Sequence, residues 1–177
     1  LARKLGERIG RAQEADFVAN GTGSGQPKSL VACASSGVTG FDPTSIDSWI
    51  SLEHSVDPIY RQNAKWLMHD STLAIIKKIK ATTNQPIFMP DFVHGTPGTL
   101  LGYEIVISNS MPTNGTTKKI AMFGDLSQYL IRDVGQVELL RSDDRYFEYN
   151  QTAFLAILRS DGNFVGPSTA LTYGQTT

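Results

Sequence analysis

Cysteine is nearly missing from this sequence. Cys33 stands alone, which excludes an intramolecular disulfide and leaves any zinc site to histidines and carboxylates. The three histidines, His54, His69 and His94, are scattered, and no H-x-x-x-H or H-E-x-x-H spacing occurs. Neither a metal site nor a cysteine–histidine nucleophile pair has a local signature, so no residue is assigned as catalytic, cofactor-binding or metal-ligating. An excess of charge is missing too: 16 Lys and Arg against 17 Asp and Glu give a net charge of −1. Tight nucleic-acid binding therefore lacks its usual basic footprint. Two local basic runs, Arg3/Lys4/Arg8/Arg11 and Lys77/Lys78/Lys80, read as solvated helix faces. No apolar run has the length of a membrane span, and the N-terminus carries no signal-peptide pattern, which predicts a cytosolic origin. What is present is an ordinary folded composition, 40% hydrophobic and 19% charged over 177 residues, enough for one sizeable core or two small lobes.

The stretch "ANGTGSGQPKSLVACASSG" at residues 19–37 is glycine-rich with Lys28 close behind. Such a run cradles phosphate when it follows a strand and opens a helix. Here the order is reversed. Leu1, Leu5, Ile9 and Ala12 recur at helical spacing through residues 1–18, so the loop leaves a helix. The spacing of Gly21, Gly23, Gly25 and Lys28 fits neither the G-x-x-x-x-G-K-[ST] nor the G-x-G-x-x-G pattern. The reading is a helix exit, with Asn20 or Gly21 able to take positive φ and Pro27 blocking further helix.

Along the rest of the chain, residues 29–35 suit a short strand and Gly37 to Pro43 a turn. "TSIDSWISLEHSV" places Ile46, Trp49 and Ile50 on one helical face behind Thr44 or Ser45. Residues 64–69 form a buried strand, and Asp70 or Ser71 caps a helix to about residue 81, with Leu73, Ile76 and Ile79 inward and the three lysines in its last turns. The proline- and glycine-rich segment from Pro86 to Gly102 reads as an extended loop, too apolar at Ile87, Phe88, Met89, Phe92 and Val93 for a free tether. Strands follow at 103–108, 119–124, 128–133, 136–140 and 152–160, with Asp161-Gly162 as a hairpin turn and "NFVGPSTALTY" as the return. Helices with segregated strands make an α+β fold. Trp49, Trp66, Leu67, Leu73 and Ile76 are expected to be buried together.

Read in order, these pieces resemble the major capsid protein of tailed bacteriophages with the HK97 fold. The helix flowing into "FVANGTGSGQP" is similar to the end of that family's spine helix and its glycine loop. "YRQNAKWLMHDSTLAIIKKIKATTNQPIF" resembles its axial-domain strand, helix and turn. "GTLLGYEIVISNSMP" followed by "IAMFGDLSQYLIRD", and then "YFEYNQTAFLAILRSDGNFVGPSTALTY", match its later strands. The blocks cover essentially the whole chain in the right order. Ser29 departs from the glycine that often follows the proline.

The resemblance implies a spine-helix end, glycine loop and first strand of the peripheral domain at 1–37, an axial domain at 38–135, and mostly peripheral closing strands at 136–177. It implies a non-enzymatic structural subunit that assembles with itself, as pentamers and hexamers, into an icosahedral head. Scaffold or portal proteins are further partners it suggests. The head would enclose phage DNA without sequence-specific binding or a membrane, in a virion made in the bacterial host cytoplasm. The family's N-terminal arm and E-loop lie before the spine helix. The chain opens at Leu1 inside a helical pattern and is expected to be a fragment lacking both, one that stays monomeric or weakly associated alone. Two alternatives stand beside this reading. An encapsulin-type nanocompartment would enclose protein cargo, and a nucleotide-handling enzyme would use the Gly21–Lys28 loop.

Overall fold

The computed structural model describes residues 2–80 and 98–177. Helix α1 (Ala2–Ala15) runs into a π-helical turn at Asp16–Asn20, so the helical stretch expected through residue 18 ends in a wider turn. Next come α2 (Leu30–Cys33), β1 (Ser35–Thr39), α3 (Ile46–His54), α4 (Pro58–Arg61), β2 (Lys65–Met68) and α5 (Asp70–Ile76). The strands β3 (Thr99–Leu100), β4 (Tyr103–Ile107), β5 (Lys119–Gly124), β6 (Tyr129–Tyr146), β7 (Gln151–Phe164) and β8 (Leu171–Gln175) complete the chain. Two sheets result. One has six strands in the order β1-β8-β5-β2-β4-β3, and the other is the hairpin β6-β7. The expected α+β class stands.

The six-stranded sheet is covered on both sides because its central strands alternate between two cores. Trp66 and Met68 of β2 face a cluster with Trp49, Leu52, Leu73, Ile76 and Phe123. Leu67, one residue away on the same strand, faces the opposite cluster with Val18, Leu30, Met111, Met122 and Leu171. Trp49, Trp66, Leu73 and Ile76 are thus buried together as expected, whereas Leu67 is buried on the other face. Both indole N–H groups are satisfied, Trp49 donating to the Pro43 carbonyl at 3.2 Å and Trp66 to the Leu100 carbonyl at 2.9 Å.

Several local expectations are corrected. Residues 30–33 are a helical turn, with the strand following at Ser35; the Ser29 side chain accepts from the Ala32 N–H as N-cap, and a short apolar run does not distinguish strand from helix. The expected turn from Gly37 is strand as far as Thr39. Helix α5 is capped by the His69 ring, which accepts from Ser71 N–H at 2.9 Å, instead of by Asp70 or Ser71. It ends at Ile76, so Lys77, Lys78 and Lys80 lie beyond its last turn, where tight turns bond Lys78 N–H to Ile75 O and Ile79 N–H to Ile76 O. The strands expected at 128–133 and 136–140 are one 18-residue strand, bulged after Val134. Asp161-Gly162 is no hairpin turn: Gly162 lies inside β7 opposite Ile131. The reversal is at Phe147–Asn150, where Asn150 takes left-handed φ of 54°. The return segment β8 joins β5 and β1 in the other sheet. Most of the proline-rich loop, from Pro86 through Pro97 and including His94, lies outside the described residues.

Candidate functional site

The glycine loop is a miniature hairpin fastened to the root of β6-β7. Gly21 N–H donates to Asp16 O at 3.0 Å, Gly23 N–H to Pro27 O at 3.2 Å, and Ser29 N–H to Gly21 O at 3.0 Å. Gly23 and Gly25 take the positive φ values, 81° and 67°. Gly21 does not; its φ is −65°. Its reason for being glycine is close approach, since a Cβ there would overlap the Pro27 carbonyl oxygen. Ser29 is fully buried and donates its hydroxyl to Ala19 O at 3.2 Å, which accounts for a hydroxyl at that position.

The loop then meets the hairpin. Lys28 N–H donates to Gly162 O at 2.8 Å, and the Tyr129 hydroxyl donates to Lys28 O at 2.9 Å. A Cβ on Gly162 would strike the Tyr129 ring and hydroxyl, which is why the Asp-Gly pair sits in a strand. Burial, followed by the Coulombic influence of Cys33 and Asp161, pushes the Tyr129 phenol up to about 12, so it remains a donor.

An open cleft of about 340 Å³ lies between the loop and β7, lined by Gly23, Gln26, Lys28, Ser160, Asp161 and Asn163. It is a poor phosphate cradle. The amides of Gly23, Lys28 and Ser29 already serve backbone carbonyls, and Asp161 adds a carboxylate where an anion would sit. Cys33 is half-buried, 3.7 Å from the Asn163 amide oxygen. His54 lies 3.2 Å from Arg61, and His69 caps α5, so Cys33 and the described histidines each have separate local surroundings. Among the described residues, no group of three or more His, Cys, Asp or Glu side chains comes together to hold a metal. No described helix is long and apolar enough to cross a membrane.

The feature that sequence reasoning missed is the hairpin itself. β6 and β7 pair from Tyr129–Phe164 to Tyr146–Gln151, and beyond the root many of their large apolar side chains lie in solvent. Leu130, Val134, Leu140 and Leu155 are all more than half exposed, and Phe147 at the tip is 81% exposed. Its root is held by Asp125, whose carboxylate accepts from Ser127 N–H at 3.0 Å, Ser127 Oγ at 2.6 Å and Gln128 Nε2 at 3.2 Å. Burial raises the Asp125 pKa, but these bonds outweigh it and hold the carboxyl below its ordinary value. Helix α1 is tied to both sheets, through Glu14 accepting from Ser108 Oγ at 2.6 Å and Gln13 donating to Ser160 Oγ at 3.3 Å. Between α1 and the hairpin runs an apolar groove of about 400 Å³, lined by Leu5, Ile9, Val137, Leu139, Ala156 and Leu158.

Among the described residues, the β6-β7 hairpin carries exposed apolar side chains together on one two-stranded ribbon, the kind of surface that marks a contact site. The model of the phage capsid family matches residues 1–175. The chain belongs to the phage capsid family. Its fold is found in the capsid of an empty GTA particle, at a TM-score of 0.83 and 20% identity, covering 99% of this chain and 64% of that one. The native GTA particle gives 0.83 at 21% identity with the same coverage. A chain from Gordonia phage Cozz gives 0.71 at 14% identity, covering 99% of this chain and 62% of that one. The chain therefore spans about 64% of the length of the GTA capsid chains. No curated protein matches the sequence directly. The HK97-like capsid fold expected from the sequence stands, in a family of structural shell proteins.

Proposed function

We infer that this protein is a major capsid subunit that assembles with copies of itself into a closed icosahedral head around phage DNA, in pentamers and hexamers. What supports the reading is the exposed apolar hairpin in a chain of a capsid family. A two-stranded ribbon of this length is marginal by itself, and its open apolar side chains make sense when neighbours cover them. Shells close by summing several modest contacts per subunit. Within such a subunit, α1, the glycine loop and the hairpin form the peripheral domain, and β1 to β5 with α3 to α5 form the axial domain; the divisions then fall at the starts of β1 and β6, near residues 35 and 129, a few residues before the expected 37 and 135. Strand β8 returns to the axial sheet. The glycine loop turns the chain sharply from α1 into the body of the subunit, a shape requirement met by Gly21 and Ser29. The protein's place is the virion, after synthesis in the bacterial cytoplasm.

The cargo is tested by treating purified particles with nuclease and extracting what survives. Nuclease-resistant DNA of uniform length is expected. Particles holding a protein and no protected DNA would assign the chain to a nanocompartment instead.

A further inference from the structure

The two edges of the β6-β7 hairpin are built differently. On β6, residues 135–137 bulge opposite Leu158 and residues 143–145 bulge opposite Thr152, with Gly135 at φ 77°. The same strand carries Arg132, Asp133, Glu138, Arg141, Asp143, Asp144 and Arg145. Bulges and charges are the devices that keep an edge strand from pairing. β7 has neither. Its bulge partners lie on β6, and Thr152–Leu158, "TAFLAIL", is an uncharged run, with Leu155 56% exposed. Near its C-terminal end the β7 backbone is engaged, by Lys28 N–H on Gly162 O. From Gln151 to Asp161, β7 makes no backbone hydrogen bond outside the hairpin among the described residues.

We propose that the outer edge of β7 pairs antiparallel with β7 of a second copy, about a twofold axis at Leu155, giving a four-stranded sheet ordered β6-β7-β7-β6. The inference rests on the reading of the protein as self-associating. Side-chain size selects both partner and register. With Leu155 opposite its own copy, Phe154 faces the partner's Ala156 and Ala153 faces the partner's Ile157. Phe154 and Ile157 therefore each meet an alanine, Leu158 meets Thr152 and Leu155 meets its own copy, and cross-strand neighbours at this distance interact directly. Arg159, the first charge beyond the run, falls opposite the neutral Gln151, so no like charges meet. Residues directly opposed share a face, which brings the partner's Phe154 beside Ala156, at the apolar groove under α1. The groove has room for it: a Cβ on Gly6 or Gly10 would find nothing within 4 Å.

The test uses the whole chain with Cys33→Ser as background, adding Leu155→Cys, Ile157→Cys or Glu138→Cys singly. Directly opposed Cα atoms in an antiparallel pair are about 4.5–5.5 Å apart, within disulfide reach. Under mild oxidation, Leu155→Cys is expected to form covalent dimers several times faster than the other two. A second variant, Leu155→Lys, places two ammonium groups face to face at an exposed position and is expected to weaken the dimer in sedimentation while circular dichroism stays unchanged. If the protein self-associates but Leu155→Cys does not lead and Leu155→Lys has no effect, the pairing is wrong and the self-association reading survives. A wild-type chain that is monomeric at every concentration, while the protein from its complete reading frame assembles, overturns the pairing alone; if neither associates, both readings fall.

Discussion

Trp49 and Trp66 meet edge to face in the core, their ring centroids 5.4 Å apart. Phe41 packs on Trp49 and Phe123 on Trp66, so the rings form a continuous stack from α3 across the central strands. Replacing Trp66 by Ala removes a fully buried side chain and its hydrogen bond to the Leu100 carbonyl. The expected loss is about 3–5 kcal/mol in denaturant melts. A loss under about 1 kcal/mol would show that the stack does not organise the core.

Gly21 and Lys28 separate the two readings of the glycine loop. If the loop works through shape, Gly21→Ala costs about 1–3 kcal/mol, because its Cβ would overlap a backbone carbonyl. Lys28→Ala at an exposed site then stays within about 0.5 kcal/mol. ATP should give no saturable rise in melting temperature. Micromolar ATP binding that disappears with Lys28→Ala would restore the nucleotide reading.

Asp125 makes the hairpin root sensitive to acid. Its folded pKa is lowered from the ordinary 3.8, so its contribution is complete above that value and is lost as pH falls through the lowered one. Asp125→Asn is expected to destabilise the protein by about 1.5–3 kcal/mol at neutral pH, as for hydrogen bonds to a charged group. The gap between wild type and variant should shrink as pH drops below 3.8. A gap that stays constant into acid would show that the carboxylate's ionisation is irrelevant there.

The core strands and the long helical stretches were legible because their patterns extend far enough to set a period. Ile46 and Trp49 mark the inner face of α3, where Leu52 is buried in place of the expected Ile50, which is 39% exposed, and the apolar run of β2 marks a strand covered on both sides. The order of the blocks also carried the family. What escaped was decided by contacts distant in sequence. Residues 30–33 are helical because Ser29 caps them while tied to Ala19, and Asp161-Gly162 is strand because Tyr129 packs against it. The hairpin escaped for another reason: Leu139, Leu140, Leu155 and Ile157 look like core residues in sequence, and an isolated chain leaves them exposed.

The central claim is that this chain belongs to a subunit that closes into a shell. The direct measurement is electron microscopy, with sedimentation, of the protein expressed from its complete reading frame. Closed particles of uniform diameter, with this chain as their main component, are the expected result. A small species that stays monodisperse at micromolar concentration, with no closed particles in the field, would contradict it.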